Sequence, residues 1–161
     1  MAAVAQNGLA LQYVDQSKEY AQDVCMAAVT QNGFALQYVK DQTHDICLEA
    51  VNQNGVAVRG PGDDPFVLQY VKDQTLDICM AAVKKQGLAL QYVNDDLRTP
   101  DICMEAVKNK PIALLYVSEE RQTPEICMEA VLRKPYALLY VSEKYQTPEI
   151  CMAAVKKMGL C

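Results

Sequence analysis

Histidine occurs once in the 161 residues, at His44. No Ser/His/Asp arrangement, P-loop or glycine-rich phosphate turn accompanies it, and the recurring carboxylates stand where helix caps require them. The sequence therefore reads as non-enzymatic and without a cofactor. No apolar run approaches the ~18 residues that cross a bilayer, so no membrane segment is expected. The stretch Met1-Ala2-Ala3-Val4-Ala5-Gln6-Asn7 lacks a positive region followed by an apolar one, so no signal peptide is expected either. Positive charge is not in excess: the net charge of −5 argues against nucleic acid as the partner. Seven cysteines are present without a single C-x-x-C pair. Zinc sites need clustered ligands, so no metal is expected.

What is present is a repeat. Cys25, Cys47, Cys79, Cys103, Cys127 and Cys151 each sit in one phrase, from Asp23-Val24-Cys25-Met26-Ala27-Ala28-Val29 to Glu149-Ile150-Cys151-Met152-Ala153-Ala154-Val155. A second phrase alternates with it: Leu9-Ala10-Leu11-Gln12-Tyr13-Val14 and its counterparts ending at Val39, Val71, Val93, Val117 and Val141. A fixed period of this kind is the mark of stacked supersecondary units.

Each phrase reads as a short helix. Ile126, Cys127, Ala130 and Val131 fall at i, i+1, i+4 and i+5, one helical face. Thr123-Pro124-Glu125 supplies an N-cap hydroxyl, a proline for the first helical position and a carboxylate for the first turn. Thr99-Pro100-Asp101 and Thr147-Pro148-Glu149 repeat the device. Asn32-Gly33, Asn54-Gly55 and Gln86-Gly87 suggest glycine in the left-handed conformation after the helix. In the second phrase Leu114, Leu115 and Val117 are expected to be buried. Helices of about ten residues are marginal alone, so neighbours must stack. The expected fold is all-α: a solenoid of about six two-helix repeats forming a single domain over residues 1–161.

Two irregularities bear on function. Ten residues, 58–67, interrupt the third unit and contain Gly60-Pro61-Gly62 and Asp64-Pro65, turn formers that predict a protruding loop. Arg59, Gly60, Pro61, Asp63, Asp64 and Phe66 are the candidate interaction residues there. The array is also cut in mid-phase without polar capping repeats. Val4, Leu9 and Leu11 on one side and Met152, Val155 and Leu160 on the other are candidates for head-to-tail contacts between copies.

Three ladders admit two readings each. The cysteines could form a redox or metal relay, but small buried core residues fit better. Equivalent positions in adjacent pairs lie ~8–10 Å apart, beyond the ~7 Å limit for a disulfide. The tyrosines Tyr13, Tyr38, Tyr70, Tyr92, Tyr116 and Tyr140 could stack bases or a peptide, or pack between repeats with the hydroxyl at the rim. Lys84, Lys85, Lys108, Lys110, Arg133, Lys134, Lys156 and Lys157 could track phosphates, or complement helix C-termini.

The phrases Asn7-Gly8-Leu9-Ala10-Leu11-Gln12-Tyr13-Val14 and Ala82-Val83-Lys84-Lys85-Gln86-Gly87-Leu88-Ala89-Leu90-Gln91-Tyr92 resemble an uncharacterised family of short two-helix repeats, about 24 residues long, of large DNA viruses and some bacteria. The resemblance covers essentially the whole chain, and no activity, ligand or catalytic residue attaches to it. The Pro/Gly-rich insertion has no counterpart. The reading that follows is a non-enzymatic scaffold for protein–protein interaction, with end-to-end self-assembly as the alternative. It is placed in the cytoplasm, a reducing compartment, or in a host-cell interior or virion.

Overall fold

A hydroxyl placed before a proline and a carboxylate starts a helix because it occupies an otherwise orphan backbone donor. In the computed structural model, which describes residues 6–53 and 66–159, this happens as the phrases suggest. Thr99, Thr123 and Thr147 accept hydrogen bonds from the N–H groups of Ile102, Ile126 and Ile150. The resulting α-helices are α1 (Ala21–Gln31), α2 (His44–Gln53), α3 (Leu76–Lys85), α4 (Pro100–Asn109), α5 (Pro124–Arg133) and α6 (Pro148–Lys157). On α5 the face Ile126, Cys127, Ala130 and Val131 is buried, and α1, α2 and α4 bury the same four positions.

The other phrase folds more tightly. Gly8–Tyr13, Gly33–Tyr38, Val67–Tyr70, Gly87–Tyr92, Pro111–Tyr116 and Pro135–Tyr140 are 3-10 helices. Each is closed by a valine N–H donating back three residues, as in Val39 to Leu36 and Val117 to Leu114, both at 3.0 Å. A 3-10 helix has three residues per turn, so positions three apart eclipse. The inward pair is therefore Gly87 with Leu90, or Pro111 with Leu114, continued by Val117, and the leucines and valines are buried. The outward pair is Ile112 with Leu115, or Tyr136 with Leu139. Leu115, expected in the core on an α-helical period, is exposed for this reason.

Among the described residues the chain is all-helical, without strands. It divides into two compact units, 1–81 and 82–161. In the first, α1 packs on α2, and the 3-10 helices Gly8–Tyr13, Gly33–Tyr38 and Val67–Tyr70 pack in succession. In the second, α4, α5 and α6 pack in succession, as do Gly87–Tyr92, Pro111–Tyr116 and Pro135–Tyr140. Each unit is thus a two-row helical repeat stack, with the core between the rows.

Glycine serves this packing in a way the sequence reading misjudged. Neither Gly33 nor Gly87 takes a left-handed conformation; among the described residues the one glycine with positive φ is Gly159. The caps before them, Asn32 and Gln86, are extended. A Cβ on Gly33 would lie 2.3 Å from the carbonyl oxygen of Ala50, and one on Gly87 2.3 Å from that of Ala106. Glycine stands there because the next repeat's α-helix comes into backbone contact.

Candidate interaction surface

The outward pair of each 3-10 helix decides what a repeat offers to solvent. Its second member is Gln12, Gln37, Gln69 and Gln91 in the first four copies, then Leu115 and Leu139 in the last two. Isolated apolar side chains at a surface are ordinary, whereas a contiguous set is a binding feature. Here Ile112 is 46% exposed, Leu115 54%, Tyr136 73% and Leu139 80%. Ile112, Tyr136 and Leu139 line a groove of about 300 Å³ with Pro111, Ala137 and Tyr140, and Lys110 and Lys134 stand at its rim.

Within each unit, successive repeats are joined by a polar bridge. Gln16, Gln42 and Gln122 each donate from Nε2 to the carbonyl of the next repeat's tyrosine: Tyr38 at 2.7 Å, Tyr70 at 2.8 Å and Tyr140 at 2.9 Å. Their Oε1 atoms accept from the next repeat's backbone at Lys40, Lys72 and Ser142, at 2.9, 3.0 and 2.8 Å. The same oxygen faces the cysteine thiol: Cys25 at 3.6 Å, Cys47 at 3.6 Å and Cys127 at 3.5 Å. Arg98 replaces glutamine in the fourth unit and donates to the carbonyls of Val93, Tyr116 and Gln91. The sequence reading did not single out this row. Its signal was available, since glutamine stands five residues before Cys47, Cys79, Cys127 and Cys151.

Residues 75–122 and 123–161 each match the profile of one family, described as Domain of unknown function (DUF4116), and together they make up more than half of the chain. The chain belongs to this family. Both DUF4116 matches begin on the threonine that precedes an α-helix, Thr75 and Thr123. In that phase the first match ends on Gln122, the bridging glutamine. No curated protein and no solved structure matches the chain.

The ladders can now be placed on the DUF4116 repeats. Cys25, Cys47, Cys79, Cys103 and Cys127 are buried and Cys151 is half-buried, all as free thiols. Burial pushes the thiols of Cys25, Cys47 and Cys103 up from their ordinary range, and that of Cys127 up to about 11. This is the opposite of an activated nucleophile. Among the described residues no group of three or more His, Cys, Asp or Glu side chains is placed to hold a metal. Tyr38, Tyr70, Tyr92, Tyr116 and Tyr140 are half-buried, and Tyr13 is exposed. Phe34 meets Tyr70 edge to face, with centroids 6.4 Å apart. The eight basic residues are all exposed at the ends of α-helices or just beyond them. His44 is exposed at the start of α2, with Nε2 2.9 Å from Asp77. Asp77's carboxyl is held low first by the hydrogen bond from Thr75.

Of the insertion candidates, Arg59, Gly60, Pro61, Asp63 and Asp64 lie outside the described residues. Phe66 does not belong to an exposed loop. It is 8% exposed at the start of the 3-10 helix Val67–Tyr70, and Val67 is buried as well. Both do the work of Phe34 and Ala35 one repeat earlier, so the repeat resumes before residue 67. Of the end-contact candidates, Val4 and Leu160 lie outside the described residues. Leu11 is fully buried within its own unit, on the inward face of its 3-10 helix, and offers nothing to another copy. Leu9 and Val155 are half-buried and Met152 is exposed.

Proposed function

We propose that this DUF4116 chain is a non-enzymatic helical scaffold that binds a protein partner. The observation that carries the reading is the apolar groove between Pro111–Tyr116 and Pro135–Tyr140. Ile112, Tyr136 and Leu139 project to solvent there, Leu139 at the position where four earlier repeats place glutamine. A contiguous apolar surface of this kind is costly to leave in water and is kept where something covers it. The buried, unactivated thiols fit a protein that works in a reducing, cytoplasmic compartment. Among the described residues no helix is long and apolar enough to cross a membrane. A photo-crosslinking amino acid at position 139 should trap a defined protein in cells, and the same amino acid at exposed Gln12 should not. Indistinguishable products from the two positions would remove the basis of the proposal.

A second reading, self-assembly of the repeats, is favoured by Gln146. Its side chain is exposed and donates to Val141 within its own repeat at 2.9 Å, whereas Gln122 reaches the following one. Met152 lies exposed on the neighbouring α6. Light scattering over a concentration series should then show growth that Val155→Glu weakens and Lys134→Glu leaves alone. A strictly monomeric chain at high concentration would rule this reading out.

A further inference from the structure

The groove's rim changes together with its floor. The residue that follows each of the α-helices α1, α3, α4 and α5 has the same extended backbone, with φ of −153° at Asn32, −141° at Gln86, −139° at Lys110 and −141° at Lys134. The turn therefore has no need of lysine, since neutral amides form it in earlier repeats. Complementing the α-helix C-terminus does not account for the change, because Asn32 and Gln86 close helices of the same kind. Lysine appears at the two repeats in which the outward glutamine becomes leucine: Lys110 with Leu115, and Lys134 with Leu139. Both lysines are exposed, and neither makes a salt bridge among the described residues. Two unpaired cations beside an apolar floor form a composite surface for one kind of ligand.

Building on the scaffold reading, we infer that the groove binds an acidic peptide segment of a partner protein. Bulky apolar side chains of that segment lie against Ile112, Tyr136 and Leu139, and its carboxylates reach Lys110 and Lys134. Rim charges set orientation and partner choice, and the apolar contact supplies most of the affinity.

A random-sequence peptide display library selected on the full chain tests this, with the Leu139→Gln chain as the counter-selection. That substitution restores the residue found at Gln91, so the fold should survive it, and circular dichroism checks that it does. The enriched peptides should combine acidic residues with bulky apolar ones. By fluorescence anisotropy the best of them should bind about tenfold more weakly to Leu139→Gln. Reversing the rim with Lys110→Glu and Lys134→Glu should weaken it by about tenfold at low salt, and a lysine-bearing version of the peptide should then be preferred. Enriched peptides without acidic bias, or indifferent to charge reversal, would overturn the acidic-ligand inference and leave the scaffold standing. No enrichment over Leu139→Gln would overturn both. A dimer in light scattering that Leu139→Gln dissolves would assign the groove to a second copy of this chain and overturn the inference.

Discussion

At the scale of the residue, the decisive group is one that composition hides. Gln122 is 5% exposed, and its amide is fully used: Tyr140 and Val117 accept from Nε2, while Ser142 N–H and the Cys127 thiol are directed at Oε1. Replacing it with leucine strands a backbone N–H and two carbonyls in the core. Each stranded group costs ~1–3 kcal/mol unless it relaxes, so Gln122→Leu should lose roughly 2–4 kcal/mol in urea denaturation. Gln146→Leu, at an exposed site, should lose under about 1 kcal/mol. Equal losses would show that the bridge adds nothing beyond packing. The cysteines were legible as core residues from their spacing and phrase. Their acceptor was not, because a glutamine in a polar turn looks like any solvated residue until the next repeat is laid against it.

Among the elements, the α-helices were legible from their four-residue apolar face, and the starts of α4, α5 and α6 also from their Thr-Pro-acid caps. The intervening segments were recognised as helical, but their period was not. Six residues are too few to distinguish a repeat of 3.6 from one of 3.0, and Leu115 was misplaced as a result. The glycines were misread for a related reason: a left-handed cap and a close approach both call for glycine. The structure separates the two in a testable way. Gly87→Ala should destabilise by roughly 1–3 kcal/mol, because the added methyl meets the Ala106 carbonyl. Gly159→Ala meets no atom within 4 Å and should cost ~1 kcal/mol, from its φ of 70° alone. A Gly87→Ala chain as stable as the native one would remove the contact argument. The insertion also ends earlier than its composition suggested. Phe66→Ala should cost roughly 3 kcal/mol in thermal unfolding of the first unit; a loop residue would cost nearly nothing.

For the molecule as a whole, the shared chemistry of the thiols links stability to alkaline pH. Buried cysteines bind their proton more tightly folded than unfolded, so the stabilisation they contribute is complete below the unfolded value of 9.0. It is lost as pH rises through the folded value, which for Cys127 is about 11. Cys25 and Cys47 in one unit and Cys103 and Cys127 in the other are all raised. Both units should therefore soften above pH 9, and the second, which holds Cys127, between pH 9 and pH 11. A Tm series in that window, compared with Cys127→Ala, checks this: the variant should fall less steeply, and parallel curves would refute the linkage.

The change from glycine to proline also gives the second unit a mechanical grain. Gly87 N–H is held by Asn109 Oδ1 at 2.8 Å, and Asn109 Nδ2 in turn reaches the Lys84 carbonyl at 2.7 Å. Arg98 and the Arg121–Asp95 ion pair fasten the same junction. One repeat later Pro111 has no N–H to clamp. Arg133, in Asn109's place, pairs with Glu129 on its own helix, and Tyr145 stands where Arg121 stood. Gln122 bridges that junction without those partners. Junctions linked in series carry the same tension when pulled, so the less fastened one yields first. Under load, the repeat built from α5 and Pro135–Tyr140 should peel away while the one before it holds. The strip of surface nearest Leu139 would be the first to change shape.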